Sequence, residues 1–368
     1  MWPDRRVIDL FGIEHPLVLA PMAGFGTVAL AASVSDAGGL GSISCATMQP
    51  GLAANTIEEL RQLTRKPINV NFFCHAQAKA DADREHAWHD QLAPYYRELG
   101  IEQELPSRLD IAPFGEAMCR IVEDAEPEVV SFHFGLPDSG LLARVKSAGC
   151  RVISSATTVE EAVWLEARGV DAIIAQGYEA GGHRGIFLAA DLNAAIASQP
   201  GTLALVPQIA DAVSVPVIAA GGIADGRGIA AAFALGASGA QMGTSFLLCP
   251  EAATPSLHRD ALRHARGDAT LLTNVFSGRP ARVLVNRLAR EVGPISDDAP
   301  DFPLPLGELP LLRTKAEQQG NSDFTPLWSG QAAPLGAEMP AKKLTLKMAK
   351  EAMERFKWLG YATPREPH

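Results

Sequence analysis

Two histidines and two glycine turns are the parts of this 368-residue chain best suited to chemistry. His133 stands in Ser131-Phe132-His133-Phe134-Gly135, where the flanking aromatic residues would strip water from it. An imidazole in that setting can take a proton from carbon or hold a hydrogen bond to a developing anion. His183 stands in Glu179-Ala180-Gly181-Gly182-His183-Arg184-Gly185, where Gly181 and Gly182 let the backbone come close to a ligand. The turns are Ala220-Gly221-Gly222-Ile223-Ala224 and Gln241-Met242-Gly243-Thr244-Ser245. Backbone N–H groups bared by glycine, with a helix N-terminus behind them, bind a phosphate without needing lysine. Either histidine alone could serve the core or the surface, and one glycine pair could simply make a tight turn. Two such turns in succession favour phosphate. His86 and His89 have a spacing compatible with a metal but no third ligand in view, so no metal site is expected. The five scattered cysteines contain no C-x-x-C pair and read as buried, reduced hydrophobes.

These residues need elements to position them. Short apolar runs recur with helical stretches between them, and eight can be counted: Leu17–Ala20, Leu40–Ser44, Ile68–Phe72, Val129–Phe132, Arg151–Ser154, Ala172–Ala175, Val217–Ala219 and Ala240–Met242. An open doubly wound sheet would want a third glycine after Gly24 and Gly26, which is missing. The expected fold is therefore α/β, a closed (β/α)8 TIM barrel, with a smaller, mainly helical second lobe. Active sites of such barrels lie at the C-terminal strand ends, and every candidate above falls at one. So do Pro21, Met22, Ala23, Gly24, Asn69, Asn71 and Gln176, which could supply backbone and amide partners to a flavin ring. Asn69 and Asn71 alternate along one strand and share a face. A barrel with phosphate turns on its last two strands suits FMN or a sugar phosphate.

The barrel is expected to occupy residues 1–250, with 251–340 forming a small substrate-covering lobe and 341–368 a helix that packs back on the barrel. The long stretch 74–126 reads as a helical excursion outside the barrel. Thr157-Thr158-Val159-Glu160-Glu161 is a cap with acids in the first turn, and Gly169 ends that helix. A net charge of −10 argues against nucleic acid as a partner. No apolar run approaches the ~20 residues needed to cross a bilayer, and the N-terminus lacks the features of a signal peptide. A cytoplasmic protein is expected, with its oligomeric state open.

Together the motifs resemble the nitronate monooxygenases, in particular the class I enzymes. The resemblance runs through Leu19-Ala20-Pro21-Met22-Ala23-Gly24, Asn69-Val70-Asn71-Phe72, Ser131 to Gly135, Gln176 to His183, Ala219 to Ala224 and Gln241 to Thr244, then Phe276 to Arg282 and Trp328-Ser329-Gly330-Gln331. It implies an FMN-dependent barrel in which Met22, Asn71, Gln176, Gly181, Gly222 and Gln241, Met242, Gly243 and Thr244 contact FMN. It also implies that His133 is the catalytic histidine, with His183 reaching the same ligand. The implied reaction is oxidation of an anionic alkyl nitronate, such as propionate 3-nitronate, by O2 to a carbonyl compound and nitrite, the flavin passing through a semiquinone. Arg184 would steer the anion or else lie in solvent. The rival readings are an NAD(P)H-dependent FMN reductase of the same fold and a non-catalytic phosphate-binding barrel.

Overall fold

The computed structural model describes residues 1–79, 81–102 and 111–360. Its main sheet holds eight parallel strands: β1 (Leu17–Leu19), β2 (Gly41–Ser44), β3 (Ile68–Phe73), β4 (Val129–His133), β5 (Arg151–Ala156), β6 (Ala172–Gln176), β8 (Val217–Ala220) and β9 (Gly239–Met242). A short strand β7 (Gly182–His183) lies between β6 and β8 in sequence but joins another sheet. The order β1-β9-β8-β6-β5-β4-β3-β2 comes round on itself through a bridge between Val18 and Leu40. Each expected apolar run lies on one of these strands. The runs are uninterrupted because a barrel strand is covered on both faces, by its interior on one side and a helix on the other.

The helices begin where local chemistry favours it. Thr158 caps the helix Val159–Glu166 by accepting from the Glu161 amide, and Gly169 leaves it with a φ of 80°. Asp138 and Asp225 cap the helices Ser139–Ser147 and Gly226–Ala234 in the same way. The helix Arg6–Phe11 closes the N-terminal end of the barrel, where Val7, Phe11 and Ile13 pack on inward residues such as Val18, Ile153 and Ile218. The opposite end is left to the site.

After β9 the chain leaves the barrel, builds the lobe, and returns as the helix Ala341–Trp358 against Gly226–Ala234 and Val28–Ser35, where the eighth barrel helix belongs. The expected excursion 74–126, whose residues 80 and 103–110 lie outside the described residues, divides between the two regions. Its helix Ala82–Glu98 puts Trp88, Leu92 and Tyr96 into a core with Phe276, Leu288, Leu312 and Phe324, so it belongs to the lobe. Its helix Glu116–Ala125 packs in the barrel ring between Pro50–Leu63 and Ser139–Ser147. The lobe also carries a three-stranded antiparallel sheet, β10 (Thr270–Thr273), β11 (Ala281–Leu284) and β7. Its third strand comes from the loop after β6, pairing His183 with Ala281, and this ties the lobe to the mouth of the barrel. Among the described residues no helix is long and apolar enough to cross a membrane.

Candidate active site

A cavity of about 460 Å3 opens at the C-terminal ends of the barrel strands and is roofed by the lobe. That volume suits a small organic ligand or cofactor. Pro21, Met22, Ala23, Gly24, Asn71, His133, Gln176, Gly181, Gly182, His183, Ala220, Gly221, Gly222, Gln241, Met242, Gly243 and Thr244 all line it. Asn69 does not. It donates to Ser42 Oγ at 3.0 Å and is fully buried. Alternate residues of a strand share a face but stand about 6.6 Å apart along it, so Asn69 falls one layer deeper than Asn71. Asn71 is braced at the cavity by Ser131, whose carbonyl and hydroxyl each lie 3.1 Å from its amide nitrogen.

The floor beside β8 and β9 is the glycine cradle. Gly221 and Gly222 have φ values of 112° and 69°, conformations that L side chains rarely adopt. A Cβ on Gly221 would lie 2.9 Å from Thr202 Oγ1 and 3.0 Å from the Ala180 nitrogen. One nearby anion site is already taken. Glu179 accepts from both the amide and the hydroxyl of Thr202 at 2.8 Å, so its carboxylate fills the N-terminus of the helix Thr202–Ala212. Gly243 approaches the first strand end closely, since a Cβ there would meet Ala20 Cβ at 3.2 Å. Thr244 Oγ1 accepts from the Gly330 amide at 2.9 Å and so joins the cradle to the roof. Gln241 lines the cavity with a buried side-chain oxygen that has no partner among the described residues. An unmet acceptor beside a glycine cradle fits a ring that carries an N–H donor and a phosphate tail, as FMN does.

The two imidazoles face the same space. His133 Nδ1 lies 2.6 Å from Ser155 Oγ and its Nε2 lies 3.2 Å from the His183 carbonyl oxygen. A carbonyl can only accept, so Nε2 carries the proton and Nδ1 accepts from the Ser155 hydroxyl. Gln176 donates to the same carbonyl at 2.9 Å and accepts from the Gly185 amide at 2.8 Å. Its amide therefore fastens the His183 loop onto the end of β6. The His183 ring meets Ser277 Oγ at 2.8 Å and packs between Phe302 and Trp328, at 5.5 and 5.3 Å between ring centres. Burial, and after it the charge of Arg279, pulls His133 down to about 3. Burial, then His133 and Arg279, does the same to His183, also to about 3. The cavity thus presents two neutral imidazoles, and among the described residues no carboxylate bonds to either.

Arg184 neither steers a ligand nor lies in solvent. It is buried, and its guanidinium donates to Gln199 Oε1 at 2.6 Å and to the carbonyls of Gly177 and Gln176 at 2.6 and 2.7 Å. Three convergent acceptors made by a folded loop turned it inward. His86 lies 3.6 Å from Asp90 on an exposed helix face, and His89 faces Glu308. The site also contains residues that sequence reasoning passed over. Ser155 ends β5 and could have been found by the strand-end rule. Phe302 and Arg313 descend from the lobe and gave no local signal, while Trp328 came up only through the family resemblance.

Fold and site together define an enzyme of the barrel class, with a lobe-roofed cavity in which a glycine cradle and two desolvated imidazoles face one space. A model of the family described as nitronate monooxygenase matches residues 4–351. A nitronate monooxygenase of Pseudomonas aeruginosa is 45% identical over 94% of this chain and 98% of its own length. One from Paraburkholderia phytofirmans is 42% identical over 96% and 97%. A solved structure described as nitroalkane oxidase from Streptomyces ansochromogenes superposes with a TM-score of 0.87 at 38% identity, covering 96% of this chain and 99% of that one. The chain belongs to the nitronate monooxygenase family, which is in general a family of FMN-dependent oxidoreductases.

Proposed function

We propose that the protein oxidises alkyl nitronates, such as propionate 3-nitronate, with O2 as co-substrate, giving carbonyl compounds and nitrite. The observation that carries this reading is the pair of buried, neutral imidazoles in an aromatic-roofed cavity beside a glycine cradle. A nitronate is already ionised at carbon and needs a hydrogen-bond donor more than a base. An imidazole held near 3 is a weak base at neutral pH but still a good N–H donor.

Gly221, Gly222, Gly243 and Thr244 would hold the FMN phosphate by backbone N–H groups, and Met22, Asn71 and Gln241 would meet the ring. FMN bound there supplies the electron exchange between nitronate and O2. His133 offers its Nε2–H, now in a long 3.2 Å bond to a carbonyl, to the stronger acceptor that a nitronate oxygen makes. Ser155 holds the tautomer that makes this possible. His183 borders the same space, and Phe302 and Trp328 above it exclude water.

The test is O2 uptake and nitrite release by the FMN-loaded protein with propionate 3-nitronate, run beside NADH oxidation. Nitrite release with slow NADH oxidation is the expected result. Rapid NADH oxidation without nitrite would assign the protein to the reductases instead.

A further inference from the structure

A partly buried cation with no carboxylate bonded to it among the described residues lies against Phe134, the neighbour of His133. The Arg279 guanidinium sits 4.0 Å from the centre of the Phe134 ring. One terminal nitrogen donates to the Ile186 carbonyl, while Nε is buried without a partner among the described residues. The neighbouring buried arginines are better satisfied. Arg184 makes three hydrogen bonds to oxygens, and Arg282 bonds Tyr178 and Thr270. The two carboxylates that act on Arg279 from a distance are Glu161 and Asp301. Both are engaged elsewhere, Glu161 by Thr157, Phe187 and Leu188, and Asp301 by Arg84. An uncompensated buried charge is costly unless something else neutralises it.

Its position shows what that is. Phe134 stands 4.4 Å from the His133 ring and 5.8 Å from the His183 ring, so the guanidinium and both imidazoles share one aromatic neighbour. Phe134 holds this place with a φ of 68°, an uncommon conformation for a bulky residue, just before Gly135 at 92°. This bend of the backbone sets the ring against both the cation and the imidazoles.

We propose that Arg279 is the positioning residue for an anionic head group: held against Phe134 without a carboxylate partner, its charge is balanced when a planar anion sits beside His133 and His183. This inference rests on the anionic-substrate reading above. The groups acting on the pair are Arg279, Arg184 and His75; Arg313 and Glu179 also line the cavity, Arg313 paired with Glu317 at 2.8 Å and Glu179 bonded to Thr202. The imidazoles stay neutral above about 3 and Arg279 stays charged below about 10, so at neutral pH the cation is the arginine.

Nitrate, a planar anion that cannot be oxidised, is the probe. It is titrated into the FMN-loaded protein and followed by flavin absorbance. Arg279→Gln is expected to weaken nitrate binding about tenfold, and Arg279→Lys to lose clearly less, because it keeps the charge while giving up the planar stacking on Phe134. In the unmodified protein the affinity is expected to stay level from about pH 5 to about pH 9, as the depressed histidines and the charged arginine require. Parent-like binding by the glutamine variant, equal losses in both variants, or no response to nitrate would overturn the proposal. So would affinity that falls as pH rises through about 6.5, since imidazolium would then be the cation. Nitrate binding is read without turnover. A protein that binds it as described but releases no nitrite from nitronates would refute the functional reading and leave this one standing.

Discussion

Gly221 is the cradle position with least room, and replacing it by alanine measures how much the phosphate site depends on a bare backbone. Two costs add. The φ of 112° lies where a side chain is strained, at about 1–3 kcal/mol. The new Cβ would also stand 2.9 Å from Thr202 Oγ1, 3.0 Å from the Ala180 nitrogen and 3.1 Å from the Gly177 oxygen. The last two are backbone atoms of the loop that carries Glu179, so relief means moving that loop, at a further ~1–3 kcal/mol. About 3 kcal/mol in all corresponds to roughly a hundredfold weaker FMN binding. Gly222 provides the internal comparison. Its Cβ would meet only the Glu179 side chain, at 3.5 Å, so Gly222→Ala should carry just the left-handed penalty of about 1 kcal/mol. Flavin fluorescence titration of each apoprotein, with urea unfolding beside it, separates strain on the holo loop from strain on the fold. Gly221→Ala matching the parent in both measurements, or Gly222→Ala losing more than Gly221→Ala, would refute the argument from space.

Acid should destabilise the protein through its buried imidazoles. His133 and His183 at about 3 and His258 at about 4 lie below their ordinary 6.5, so the unfolded chain binds more protons between those limits. Their contribution is complete above about pH 6.5 and is lost as pH falls, at up to about 1.4 kcal/mol per pH unit for each histidine. Glu308, raised to about 7 mainly by burial, works in the opposite direction but is partly exposed and so weaker. Urea unfolding at several values between about pH 5 and about pH 7 should show stability rising with pH, and a flat profile would contradict neutral burial. Arg184→Met should cost about 3 kcal/mol, because it strands the carbonyls of Gly177 and Gln176. A parent-like denaturation midpoint with a raised KM for nitronates would show instead that Arg184 meets substrate.

The amino-acid sequence by itself determined the barrel and most of its rim. Apolar runs, caps and glycine turns are local signals, legible because each strand is buried on both faces and each turn needs residues that tolerate positive φ. The strand-end rule then brought His133, Gly221 and Gly243 to one cavity before any contact was known. The tertiary structure alone decided what lies across from them. The partners of His133 come from β5 and from the His183 loop, and the roof comes from Phe302 and Trp328, more than a hundred residues further along the chain. The sequence pattern put Asn69 and Asn71 on one face, but depth along the barrel axis separated them. Arg184 and Arg279 are both arginines beside glycines. The folded acceptors around Arg184 made it structural, and their scarcity around Arg279 left its charge for the site. An arginine's role depends on which oxygens surround it after folding, and those oxygens belong to distant segments.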